Sequence, residues 1–245
     1  FGLEYKRYEN QHAEIYVTES SDRAFEEEVM LSGFGNAQVK GEGQGIALRL
    51  SKVGLKVSIG SRDLSKAKSV AYKLSNSIPP IQIGYGTNSY ICEISDILFL
   101  TIPYIAQKSV LEDLTNLLTN KIIINVVAPI EFKDGKFTAL SVIEGSAAKQ
   151  TQMLLPKTKV VSAFQTISAK HLMEVNSEVK SDVIVCSNFE DAKIFVMNLI
   201  SKIPVLNPID GGELDNSVYV ENFTALLLNI NKRYKVLSSI KILGL

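Results

Sequence analysis

A doubly wound, mostly parallel α/β sheet is the fold class this sequence predicts, on three observations. Short apolar runs alternate with helically periodic segments from about residue 28 onward. One run, Ile97–Thr101, is unbroken, as in strands covered on both faces. A glycine cluster, Gly41, Gly43 and Gly45, stands directly before an amphipathic segment. Strands alternating with helices pair in parallel through right-handed crossovers, which puts helices on both faces of the sheet.

The elements follow in order. Residues 1–27 are polar and charged and read as an N-terminal extension. Val29–Gly33 reads as the first strand, followed by a glycine loop and a helix over Gly45–Val53. Leu55–Ile59 is the next strand, Leu64–Leu74 its helix, and Ile81–Ile83 a short third strand. Ile97–Thr101, a helix near Ile105–Leu118 and strand Lys121–Val127 complete the first half. A turn is expected at Gly135. Then come helix Ser146–Leu155, strands Lys159–Ala163 and Asp182–Val185, helix Asp191–Ser201 and strand Pro204–Ile209. A long apolar helix over Leu214–Arg233 is expected to end a small C-terminal portion. The organisation read from this is an extension (1–27), a nucleotide-binding domain (28–165) and a C-terminal portion (166–245).

Bulk properties exclude several classes. Twenty-six basic and 26 acidic residues balance, so nothing global favours nucleic acid or an anionic membrane. No apolar run reaches the roughly 18 residues of a membrane span. Cys92 and Cys186 are far apart and read as small apolar residues, which points to a reducing, cytoplasmic setting. No metal-ligand spacing occurs.

The chemistry is expected at the glycine cluster and at the ends of strands. Glycines where a strand feeds a helix let the backbone approach a pyrophosphate, and the helix N-terminus supplies N–H groups and partial positive charge. Gly41, Glu42 and Gly43 are the expected phosphate turn. An NAD site usually holds a carboxylate at the end of the second strand. Here Ser61 and Arg62 stand there, with Lys66 one turn on. A hydroxyl and two cations suit a 2′-phosphate, so NADP(H) is the expected cofactor. Thr101, Ile102 and Pro103 end a buried strand and are expected on the nicotinamide side. Only two histidines occur, His12 and His171, and no nucleophile motif, so no catalytic side chain is assigned. Hydride transfer between two stacked rings needs positioning and excluded water more than acid–base groups.

The chain resembles the NADPH-dependent reductases of the deazaflavin coenzyme F420. The likeness runs from about Gly41 to Leu245, through GEGQGIALRLSKVG, GSRDLSKA, SDILFLTIPY, SAAKQTQMLLP, KVVSAFQTISA, DAKIFVMNLISKIP and DGGELDNSVYVENFTALLLNINKRY. It implies a Rossmann-type protein of archaeal and bacterial kind that moves hydride between nicotinamide C4 and deazaflavin C5. It implies the 2′-phosphate contacts at Ser61, Arg62 and Lys66, and coenzyme F420 as redox co-substrate near Val127, Ala128 and Gln165. Gln165 stands where members often carry His; it hydrogen-bonds but has no charged form. The implied partner is a small-molecule co-substrate, and the implied assembly a homodimer. Two alternatives remain open at this point: another NADP(H) reductase of the same fold, acting on an imine, ketone or ferric chelate, and a non-catalytic NADP(H)-binding regulator.

Overall fold

The computed structural model describes residues 15–18, 36–78, 80–176 and 180–245; for 15–18 and 36–40 it describes the backbone alone. Its centre is a six-stranded parallel sheet. The strands are β1 (Ile15–Thr18), β2 (Val57–Ser61), β3 (Gly84–Thr87), β4 (Ile97–Leu100), β5 (Ile122–Asn125) and β8 (Lys159–Ser162), in the order β3-β2-β1-β4-β5-β8. The order reverses between β1 and β4, which creates the crevice where such sheets hold ligands. β6 (Ile130–Lys133) and β7 (Lys136–Ala139) form a separate hairpin. Its tip, Asp134-Gly135, has φ of 51° and 75°, both in the left-handed region that a tight hairpin turn uses. β9 (Ser181–Val185) and β10 (Leu206–Asp210) pair in parallel, and a bridge between Ser162 and Cys186 joins them to the main sheet.

The helices are α1 (Asn36–Lys52), α2 (Leu64–Ser77), α3 (Asn88–Ile94), α4 (Tyr104–Leu114), α5 (Ala147–Leu154), α6 (Ala169–Met173), α7 (Glu190–Ser201) and α8 (Ser217–Tyr234). One apolar core joins α1, α2 and α7 to the sheet through Ile46, Leu50, Phe99 and Val196. A second lies under α3 and α4, around Ile91, Leu98, Leu111 and Ile123. The two cores occupy opposite faces because successive strand residues point to opposite sides: Phe99 serves the first, Leu98 and Leu100 the second.

Three expectations are corrected. The extension expected over residues 1–27 contributes the central strand, since Ile15–Thr18 pairs with both β2 and β4. That run is short, but its β-branched and aromatic residues suit a strand. The strand expected at Val29–Gly33 lies outside the described residues. The helix expected from Gly45 begins at Asn36, so Gly41, Gly43 and Gly45 are helical. Third, the long C-terminal helix is followed by a tail. Asp182 N–H donates to the Ile240 carbonyl at 2.9 Å, and the Asp182 carboxylate accepts from Ile242 N at 2.6 Å and Lys241 Nζ at 2.5 Å. The tail therefore lies along β9. Unforeseen elements are the β6–β7 hairpin, α3 and α6, and the third strand falls at Gly84–Thr87, just after Ile81–Ile83.

Candidate active site

The parallel register sets the site. Leu100, Asn125 and Ser162 stand in one row across β4, β5 and β8. On the other side of β4, Thr18 of β1 stands beside Gly60 of β2. The residues that follow each strand therefore emerge at one edge: Ser61 and Arg62, Thr101 to Pro103, Val127 and Ala128, and Gln165. Four of the five expected segments are brought together.

At the end of β2, Ser61 is buried and its Oγ accepts from Asp63 N at 3.2 Å. The hydroxyl proton is thereby left to point elsewhere. The Asp63 carboxylate turns into the first turn of α2, accepting from Ser65 Oγ at 2.7 Å, Ser65 N at 2.8 Å and Lys66 N at 3.3 Å. These bonds, the Ser65 hydroxyl first, hold its carboxyl below the usual range. Asp63 is committed to capping a helix. Arg62 is exposed and Lys66 half-buried on the same turn. The corner thus carries two basic side chains beside an ionised Asp63 whose oxygens are turned onto the start of α2.

Beside the switch point, Thr101 and Ile102 are buried, and Pro103 takes the N-cap position of α4 with φ −58°. A residue with fixed φ and no N–H suits a helix start. The next strand end is pinned by a buried polar network. Asn125 Nδ2 donates to Thr151 Oγ1 at 2.8 Å and Gln107 Oε1 at 3.1 Å, and Asn125 Oδ1 accepts from Val127 N at 2.9 Å. Gln107 Nε2 reaches the Ala147 carbonyl at 2.9 Å. Such a network fixes the path of Val126–Ala128 because every lost partner would leave a buried polar atom unpaid.

After β8 the chain turns sharply at Phe164, whose φ is 78° although it is not glycine. Its ring is held edge-on to Phe99, centroids 5.7 Å apart. Packing of this kind can sustain a backbone conformation that costs of order 1–3 kcal/mol. Gln165 follows, buried. Its Nε2 donates to Ser162 Oγ at 2.8 Å and to the Asn125 carbonyl at 2.9 Å, while its Oε1 is buried with no hydrogen-bond partner. The carbonyl acceptor on Nε2 fixes the amide orientation, so the oxygen is the atom left over. An orphaned buried acceptor at this edge fits an amide or ring N–H donor from a bound ring.

The expected phosphate turn is not brought into this constellation as a loop. Gly41 and Gly43 lie inside α1, and Gly41 faces α6: a Cβ there would lie 3.3 Å from Ala169 Cβ. Close helix packing accounts for Gly41, which periodicity alone does not distinguish from a turn. Arg49, buried on the same face, donates to the Leu172, His171 and Glu174 carbonyls at 3.0, 2.6 and 2.8 Å, capping α6. Glu42 Oε1 is buried and unpartnered, and burial holds its carboxyl well above the usual range. Glu42 lies about two turns into α1, where burial favours the protonated carboxyl.

A family model described as NADP oxidoreductase, coenzyme F420-dependent, matches residues 33–129. The chain is 34% identical over 201 residues to the F420-dependent NADP reductase of Methanothermobacter thermautotrophicus, covering 80% of this chain and 87% of that protein. It is 33% identical over 200 residues to the enzyme of that name from Methanocaldococcus jannaschii, covering 79% and 89%. The chain belongs to the F420-dependent NADP reductase family. A crystal structure of a candidate F420-dependent NADP-reductase from Arthrobacter superposes with a TM-score of 0.75 over 95% of this chain and all of that one, at 19% identity, which attests the shared fold. Within this F420-dependent reductase frame, sequence reasoning missed Asn125, Gln107 and Thr151. The signal was present: an Asn inside Ile122-Ile123-Ile124-Asn125-Val126-Val127 is a polar residue in a run that otherwise has no use for one. No helix among the described residues is long and apolar enough to cross a membrane.

Proposed function

We infer that this chain is an oxidoreductase that transfers hydride between NADP(H) and the deazaflavin coenzyme F420. The observation that supports the reading is the corner of Ser61, Arg62 and Lys66, where the Asp63 carboxylate is turned into the cap of α2. That leaves a hydroxyl and two cationic side chains at the place where an adenosine ribose lies in this fold, and only NADP(H) carries a phosphate there. Family membership supplies the second substrate.

When both are bound, hydride passes between C4 of the nicotinamide and C5 of the deazaflavin. The residues of this chain orient and exclude water. Ser61 donates to the 2′-phosphate while Arg62 and Lys66 balance its charge. In this reading the pyrophosphate anchor moves from Gly41–Gly43 to the first turn of α1, since a helix start offers N–H groups and partial positive charge; the family match begins before it, at Gly33. Thr101, Ile102 and Pro103 form the wall beside the nicotinamide. Val127, Ala128 and Gln165 border the deazaflavin, with Gln165 Oε1 accepting from it. No side chain needs to act as acid or base on the hydride step.

The chain works as a homodimer in this reading. α8 exposes Tyr219, Phe223 and Leu226, with Ile230 half-buried behind them. Their spacing of four, three and four residues makes one continuous apolar stripe, which suits a symmetric contact with the same stripe of a second copy.

The deciding experiment is NADPH oxidation by purified protein with coenzyme F420, followed at the deazaflavin absorbance band. Turnover is expected with F420 and not with imine, ketone or ferric-chelate acceptors. NADPH binding without turnover on any acceptor would establish the regulatory alternative instead.

A further inference from the structure

Glu221 occupies a position that α8 does not require for its own stability. It is 1% exposed, on a helix otherwise packed by Val220, Ala225 and Leu227. Its Oε2 accepts from Ala147 N at 2.7 Å and its Oε1 from Ala148 N at 3.1 Å. Those N–H groups open α5 and have no partner inside their own helix. Beside them Ser146 Oγ, which caps α5 by accepting from Lys149 N, lies 2.7 Å from Ser217 Oγ at the start of α8. The start of one helix is thus fastened to the other by polar groups in a buried contact. An apolar pair of similar volume would hold two helices at least as strongly, so a buried carboxylate here specifies geometry more than it adds stability.

The geometry it specifies reaches the site by two routes. One turn along α8, Thr224 Oγ1 donates to the Gln165 carbonyl at 3.1 Å, sharing its proton with the Val220 carbonyl. Along α5, Thr151 Oγ1 accepts from Asn125 Nδ2, and the Asn125 carbonyl in turn accepts from Gln165 Nε2. Gln165 is therefore held at its carbonyl by α8 and at its amide by the strand that α5 supports. A slip between the two helices would pull on both ends of one residue.

We propose that Glu221 is a positioning residue for the second substrate, setting the offset between α5 and α8 and through Thr224 the place of Gln165. This rests on the reading of Gln165 as bordering the deazaflavin. Thr224→Val removes the link without disturbing the α5 cap, and Glu221→Gln replaces one acceptor by a donor that opposes an N–H.

The test uses steady-state kinetics of the full chain with coenzyme F420 and NADPH. Each variant is expected to raise the KM for F420 about tenfold, with NADPH affinity by fluorescence titration unchanged. Thr224→Ser, which keeps the hydroxyl, restores the KM. The double variant is expected to be no worse than the poorer single one, because both act through one connection. Effects that multiply in the double variant, or an unchanged KM in Thr224→Val, overturn the proposal. Gln165→Ala separates the two layers: if it leaves the KM for F420 unchanged, the pocket assignment itself has failed, and the role of Glu221 with it. If it raises the KM while Thr224→Val does not, only the role of Glu221 has failed.

Discussion

Gly45 and Leu172 meet so closely that a Cβ built on the glycine would lie 2.4 Å from Leu172 Cβ and 3.0 Å from the Leu172 carbonyl carbon. The glycine is what lets α1 lie against α6. An alanine would gain up to about 1 kcal/mol of helix propensity. It would also force backbone apart at a rigid contact, and overpacking of that kind costs about 1–3 kcal/mol. Gly45→Ala should therefore lower the thermal midpoint, by about 2–4 °C for each kcal/mol lost in a chain of this size. Thermal unfolding by circular dichroism checks it; an unchanged or raised midpoint would mean that α6 yields freely.

The cofactor corner makes a charge-specific prediction. Arg62→Ala should weaken NADPH far more than NADH, since only the former carries the 2′-phosphate. A charge-assisted hydrogen bond is worth roughly 1.5–3 kcal/mol, about tenfold or more in affinity. Parallel titrations of the two nucleotides read this directly, and equal losses for both would place the phosphate elsewhere.

Glu221 gives a pH signature. Burial pushes its carboxyl from 4.5 up to about 7, against the downward pull of the Ala147 and Ala148 N–H groups. The folded state thus holds this proton more tightly than the unfolded chain. Its contribution to stability is complete below about pH 4.5 and is lost as the pH rises through 7, on the order of 3 kcal/mol in all. The Cys186 thiol, itself within electrostatic range of Glu221, is pushed up to about 11 by burial and stays neutral across this window. Chemical denaturation of the wild type and Glu221→Gln between pH 4.5 and 7.5 isolates the effect. The difference between the two should change with pH by that amount, and a constant difference would show that Glu221 does not titrate there.

The apolar stripe of α8 predicts an assembly. Leu226 is 50% exposed at its middle. Leu226→Glu should convert a dimer to a monomer in sedimentation velocity without altering the far-ultraviolet spectrum. A wild type that sediments as a monomer at micromolar concentration would remove the dimer reading.

What the sequence disclosed follows from the kind of signal each feature leaves. β4 and β5 are continuous apolar runs, and Ser61-Arg62 follows a strand whose pattern is plain, so those positions were legible. Phe164 was not, because no composition rule announces a left-handed aromatic; only its packing against Phe99 sustains it. The glycines of α1 misled because a glycine needed for close helix contact and one needed for a phosphate turn look alike without knowledge of α6. Ile15–Thr18 was lost in a charged neighbourhood, where four residues cannot raise a window average. Glu221 is an acid in an apolar helix, a signal that goes unread without its partners on α5, which lie more than 70 positions away.

The tail that lies along β9 has a practical corollary. Asp182 is wholly enclosed, and besides Asn207 Nδ2 its carboxylate is served by Lys241 and Ile242. A clone trimmed behind Ser238 would strip the Asp182 carboxylate of its Lys241 and Ile242 donors, leave the Asp182 N–H without its acceptor and open that edge of β9 to neighbouring molecules. Poor yield and clumping of such a trimmed product would follow from that exposed seam alone, with the nucleotide crevice intact.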